Sequence, residues 1–150
     1  MVMDKLALHT LLFRITQLQK AHLRPRMRSC DLTQGQPKVL HYLAKHAPCR
    51  QIEIARSCNI EAATASKLLD NMEAKGLICR EAVPSDKRAV AVVMSEQGKQ
   101  AFMKWQSRYR EVEQIACRGF DESEKALLWN LLERVYENLQ EAAVEEDAHA

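Results

Sequence analysis

No run in this chain approaches the roughly 18 apolar residues that a membrane span requires. The opening Met1-Val2-Met3-Asp4-Lys5 lacks the charged leader, apolar stretch and small-residue cleavage site of an export signal. A cytoplasmic location with no membrane partner is therefore expected. Only four glycines are present, and none sits in a phosphate-cradling loop or a nucleophile elbow. With no paired-carboxylate constellation either, enzymatic chemistry is not expected. The five cysteines (Cys30, Cys49, Cys58, Cys79, Cys117) are an odd set without a C-x-x-C pair, unlike a secreted disulfide scaffold. Neither they nor the five histidines cluster at ligand spacing, so neither a metal nor another cofactor is expected. Internal repeats, Gly/Ser linkers and low-complexity blocks are also missing.

What is present is the composition of a globular domain: 150 residues, 47% apolar and 28% charged. The net charge of +2 hides an asymmetry. Residues 1–30 carry six Lys/Arg against one Asp/Glu, residues 31–99 ten against eight, and residues 100–150 six against eleven. A basic front and an acidic tail suit a protein that meets phosphates on one side, and suit equally a solvated surface of uneven charge.

Periodicity divides the chain. Leu8, Leu11, Leu12, Ile15, Leu18 and His22 recur at helical spacing, and Pro25 should kink or end that helix. Thr33-Gln34-Gly35-Gln36 resembles a capping box before a helix faced by Val39, Leu40, Leu43 and Ala44. Gly35 and Pro37 predict an irregular first turn. A short helix follows around Ile52 to Cys58. From Glu61 to Lys75, Ala65, Leu68, Leu69 and Met72 form one buried stripe, and Gly76 stands where a left-handed cap belongs. The period then drops to two over Leu77–Val83 and Ala89–Met94, with turn residues Pro84–Arg88 between them. Ser95 can cap a helix carrying the seam Phe102, Trp105, Tyr109, Val112 and Ala116, which Gly119 breaks. Asp121-Glu122-Ser123-Glu124 reads as a capping box for a last helix faced by Leu128, Leu131, Leu132, Val135 and Leu139. The polar tail Glu145–Ala150 is expected to fray.

Two short helices followed by a hairpin are a recurrent device for reading duplex DNA, the second helix entering the major groove. Opposite the buried stripe of that second helix lie Ala63, Lys67, Asp70 and Ala74, flanked by Thr64, Ser66 and Asn71. Ala62, Ala63, Thr64 and Ser66 are small enough for close approach to base edges. Ser66 and Lys67 can bond bases or phosphates.

The order of these residues resembles the MarR (multiple antibiotic resistance regulator) family of winged-helix regulators. The resemblance runs from Leu32-Thr33 through Glu53-Ile54-Ala55 and the stretch Ala63–Arg80 to Asp86-Lys87-Arg88 and Ser95-Glu96-Gln97-Gly98. It implies a mainly α fold: a winged helix-turn-helix at residues 31–99, with 1–30 and 100–150 forming a helical dimerisation region. It implies a homodimer on a pseudo-palindromic double-stranded DNA operator, in most relatives a repressor released by a small-molecule effector. The DNA-contacting set carried over is Ala62, Ala63, Thr64, Ser66, Lys67, Asn71, Lys87 and Arg88, with Arg80 and Asp86 shaping the wing. Glu61 departs from the serine-like cap of relatives, as Arg50 or Gln51 does one helix earlier. Lys67 and Asn71 stand where relatives often carry arginine.

An effector cleft between dimerisation helices and DNA-binding lobe would place Leu11, His41 and Trp105 along it. A cysteine-based redox sensor is an alternative within the same fold. Cys30, in a loop beside Arg28, is the candidate thiol, whereas Cys58 and Cys79 read as buried. A second alternative is a winged helix that binds protein rather than DNA. The zinc-binding variant of the family would need histidines within Phe102–Val112, where none occurs.

Overall fold

The computed structural model describes residues 7–83 and 86–148; the side chains of 87–89 and 145–148 lie outside that description. The element order is α1 (Leu8–Ser29), α2 (Gln36–His46), β1 (Cys49–Arg50), α3 (Gln51–Cys58), α4 (Ala62–Ala74), β2 (Ile78–Val83), β3 (Asp86–Met94), α5 (Glu96–Ala116) and α6 (Glu122–Ala148). The chain divides into two compact units, Met1–Val112 and Glu113–Ala150.

The core of the first unit is built from the stripes that the periodicity marks. Val39, Leu40 and Leu43 of α2, Ile54 and Cys58 of α3 and Leu69 and Met72 of α4 are buried with Leu77, Ile78, Val92, Phe102 and Trp105. Burying one such aliphatic side chain contributes about 1.5–3 kcal/mol, which is why the stripes decide the packing. Ala44 is exposed instead, because the turn of α2 after Leu43 faces away from this cluster.

Helix α1 continues through Pro25 to Ser29, so of the kink or end expected there the end does not occur. Pro25 and Ala21 are both exposed, so solvent can satisfy the carbonyl orphaned by the missing N–H. The Arg26 guanidinium also donates to the His22 carbonyl at 2.9 Å. The side of α1 that meets the core is Leu23 and Met27. Leu8, Leu11, Ile15 and Leu18 of the expected stripe are exposed.

The irregular start of α2 is observed. Gly35 takes φ +90°, and the Thr33 amide bonds the Gln36 side chain. The sheet has three strands in the order β1-β3-β2, all antiparallel, where the sequence indicated two. β1 is only two residues long, Cys49 pairing with Val92 and Arg50 with Ala91. β3 begins at Asp86 rather than Ala89, and the ladder is irregular between Ala82 and Val83. Ile78 takes the inward face of β2, so the alternation of the strand turns Cys79 outward; it is exposed, not buried.

Ser95 caps α5 as expected, its Oγ accepting from the Gly98 amide at 2.9 Å. In the second unit Asp121 and Glu124 form a reciprocal capping box, each side chain bonding the other's amide at 2.9 Å. The backbone of α6 is helical to Ala148, beyond the point where fraying was expected. None of its described side chains is buried.

Candidate nucleic-acid interface

The turn between α3 and α4 is set by Asn59, which takes φ +52°. The Asn59 amide donates to Arg56 O at 3.1 Å and the Ile60 amide to Ala55 O at 3.0 Å. This paired closure satisfies the last carbonyls of α3 and swings the chain into α4. Asparagine tolerates the left-handed region better than most residues, a cue in the sequence that periodicity alone does not use. Glu61 stands at the N-cap of α4 without a side-chain cap bond.

From there α4 has two sides. Ala65, Leu69 and Met72 are buried, while Ala62, Ala63, Thr64, Lys67 and Asn71 are exposed and Ser66 is half-buried. The open side begins with small residues at the end of the helix where free amides and the positive dipole pole lie. Arg56, missed by the sequence reading, is exposed on the last turn of α3 and lines a 310 Å³ cleft with Ile52, Asn59, Ile60, Glu61 and Ala62. Among the described residues it has no ion-pair partner.

The far end of α4 is locked to the wing. Leu77 N donates to Met72 O and Gly76 N to Glu73 O, both at 2.9 Å, with Gly76 at φ +73°. Arg80 of β2 then reaches back to two carboxylates of α4, Asp70 Oδ1 at 2.7 Å and Glu73 Oε2 at 2.5 Å. Partial burial opposes the charge of Arg80, but the bonds from Glu73 and Asp70 outweigh it and raise its pKa. Asp86 at the start of β3 lies 3.7 Å from Arg50 of β1. The side chains of Lys87 and Arg88 lie outside the described residues.

A sequence model of the MarR family matches residues 32–90, the span of this lobe up to the wing. The solved structure of transcriptional regulator PA3341 is 32% identical, with a TM-score of 0.76, over 90% of this chain and 99% of that one. The chain belongs to the MarR family. MarR-family proteins are transcriptional regulators rather than enzymes. The same fold is shared with wild-type apo MarR from E. coli at 23% identity and TM-score 0.77, over 88% of this chain and 98% of that chain. It is shared also with BpsR from Bordetella bronchiseptica, whose DNA binding is regulated by 6-hydroxynicotinic acid. That match has 21% identity and TM-score 0.73, over 89% of this chain and 95% of that one.

The residues expected along the MarR effector cleft differ in setting. Leu11 is 45% exposed on α1. His41 is exposed on α2 with its ring 6.1 Å from that of Phe102. Trp105 is buried and meets Tyr109 edge-on at 6.0 Å; the Tyr109 hydroxyl accepts from Gln19 of α1 at 3.0 Å. No hydrogen bond or ring contact joins Leu11, His41 and Trp105 among the described residues.

Cys30 is not an open loop thiol. It is the C-cap of α1 and 6% exposed, packed into the core, so oxidants reach it poorly. Cys49 and Cys58 are buried as well, and burial pushes both thiols up, Cys49 to about 11. Among the described residues no group of three or more metal-ligating side chains is present. No helix there is long and apolar enough to cross a membrane.

Proposed function

We propose that this MarR-family regulator is a cytoplasmic, sequence-specific DNA-binding homodimer, a repressor released by a small-molecule effector. The observation that carries the reading is the exposed row of α4. Ala62, Ala63, Thr64 and Lys67 stand open to solvent on a helix whose other side is buried and whose far end is tied to the wing. A helix held that rigidly can enter a major groove without losing its orientation. Ser66, Lys67 and Asn71 would bond bases or phosphates, Lys87 and Arg88 would reach the backbone or a narrow minor groove, and Arg80 and Asp86 would shape the wing.

Residues 1–30 and 100–150 would pair two copies, and residues 31–99 of each copy would meet one half-site. Two-fold symmetry then places the half-sites of a pseudo-palindrome about 34–36 Å apart. An effector lodged near Leu11, His41 and Trp105 would favour a spacing of the two lobes that misses successive grooves. A few kcal/mol of differential affinity is enough for that shift.

Salt-dependent binding to duplex fragments selected from the source genome tests the reading. Lys67→Ala should reduce the slope of log K against log salt by about 0.9 per phosphate contact, or remove discrimination at one position if it reads a base. Arg88→Ala should weaken binding while leaving folding and dimerisation intact. Parent protein that binds no selected duplex, or binds without salt dependence, refutes the DNA reading and favours a protein-interaction module.

A further inference from the structure

Gln36 is the only polar side chain that is fully buried among the described residues, at 0% exposure. Its Oε1 accepts from the backbone amide of Thr33 at 2.9 Å, and its Nε2 donates to Asn71 Oδ1 of α4 at 3.2 Å. The direction of this chain follows from chemistry. A backbone N–H only donates, so the Gln36 atom facing Thr33 must be oxygen. The remaining amide nitrogen also only donates, so Asn71 must turn its oxygen inward. A backbone amide thereby fixes, through a buried glutamine, which way an exposed asparagine presents its carboxamide. Asn71 Nδ2 has no partner among the described residues. Lys67 and Thr64, four and seven positions earlier, lie on the same side of the helix and are also exposed.

We propose that Asn71 meets DNA as a hydrogen-bond donor, to a phosphate oxygen or a base acceptor, and that Gln36 is the positioning residue that fixes this polarity. The proposal rests on the DNA-binding reading above. It also carries a restriction. Asparagine reads adenine by accepting from N6 with its oxygen while donating to N7. In this protein the oxygen already accepts from Gln36, which leaves the nitrogen as the free end and disfavours that fork. The matching partners are N7 of adenine or guanine, guanine O6, thymine O4 or a phosphate.

A double-mutant cycle on duplex affinity tests the assignment. Asn71→Ala should weaken binding about threefold to tenfold, the loss of one hydrogen bond. In Gln36→Glu, read at a pH high enough to ionise the buried carboxyl, one oxygen still takes the Thr33 amide and the other can only accept. Asn71 must then flip its nitrogen inward and show oxygen to the DNA, with a loss at least as large. Combined with Asn71→Ala, Gln36→Glu should add less than about twofold, since there is no longer an amide to orient. A merely structural glutamine would cost the same in both backgrounds.

Asn71→Asp needs no buried charge and keeps the test decisive if Gln36→Glu fails to fold. It retains an acceptor toward Gln36 and shows a carboxylate oxygen outward, so it should lose more than Asn71→Ala. Equal losses on selected and random duplex assign the acceptor to phosphate; loss on the selected duplex alone assigns it to a base. Parent-like affinity in both Asn71 variants overturns the proposal, as does a Gln36→Glu effect undiminished in the Asn71→Ala background. Parent protein and Lys67→Ala are measured alongside. If the parent fails to bind, the DNA reading falls. If the parent binds, Lys67→Ala weakens it and the Asn71 variants do not, only this proposal falls.

Discussion

Arg80 on the first wing strand lies 2.7 Å from Asp70 on α4, with Glu73 one turn further along the helix on its other nitrogen. The guanidinium side chain is 23% exposed, so the contact is screened less than an open surface pair. Arg80→Ala should cost about 1–2 kcal/mol in stability. It should weaken DNA binding more than the stability loss explains, because helix and wing lose their common orientation. Arg80→Lys keeps the charge but not the fork and should recover only part. Denaturant midpoints and duplex titrations of the two variants check this. Parent-like affinity in Arg80→Ala would show that the two elements are aligned without the strut.

A second prediction concerns the root of α5. A Cβ at Gly98 would stand 1.9 Å from the Leu77 carbonyl oxygen and 2.8 Å from Met94 Cγ. The oxygen is backbone, already bound to the Ser95 amide at 3.1 Å, and cannot swing aside. Gly to Ala inside a helix ordinarily gains about 1 kcal/mol. Here overpacking of about 1–3 kcal/mol opposes it, and the hard backbone contact places the result at the upper end. Gly98→Ala should therefore destabilise the protein, read as a lower urea midpoint. A raised midpoint would mean that α5 can shift freely at its start.

The stripes of α2 and α4 were legible from helical spacing, and the buried sets there follow it, Ala44 excepted. What was not legible depended on pairs distant in sequence or on elements too short to repeat. β1 has two residues, so no alternation could announce it. Gln36 and Asn71 are 35 positions apart, and only their packing makes them partners. Cys79 was misplaced because a thiol suits either side of a strand, and the stronger apolar demand of Ile78 decides the phase. Pro25 does not end α1, because its exposure lets solvent meet the carbonyl it orphans. The exposed row of α4 was legible in outline, but the internal bond that holds Asn71 was not.

The third prediction is a pH effect. Glu111 of α5 accepts from Arg108 at 2.7 Å and from Arg26 of α1 at 3.2 Å. The Arg108 bond is the largest cause; joined by that from Arg26 it outweighs the opposing desolvation and holds the carboxyl below its ordinary value of 4.5. A depressed carboxylate stabilises the folded state above the unfolded value and loses that contribution as the pH falls through the folded one. The stability difference between parent and Glu111→Gln should thus be full above pH 4.5 and shrink below it. Thermal midpoints from neutral pH into acid would read this. A difference that stays constant into acid would exclude the charge of Glu111 as the link between α1 and α5.

The last prediction concerns assembly. In α6, Leu131, Leu132 and Leu139 are 45%, 44% and 66% exposed, and in α1, Leu8, Leu11, Ile15 and Leu18 are between 45% and 65% exposed. Rows of this kind are unusual on a monomer and favour a covered surface. Their exposure within one chain makes the test clean. Leu131→Asp places a carboxylate where the isolated chain already meets water, so a monomer should tolerate it with less than about 1 kcal/mol of change. A dimer that buries Leu131 must instead desolvate an unpaired carboxylate, at a cost of several kcal/mol. Leu131→Asp and Val135→Asp should therefore dissociate the dimer in sedimentation at micromolar concentration and lower duplex affinity, since each copy would then hold a single half-site. Because folding coupled to association makes the midpoint depend on concentration, the parent's thermal midpoint should rise with protein concentration, and variants that no longer associate should lose that dependence. A parent chain that sediments as a folded monomer with full duplex affinity would remove both the dimer and the half-site spacing that depends on it.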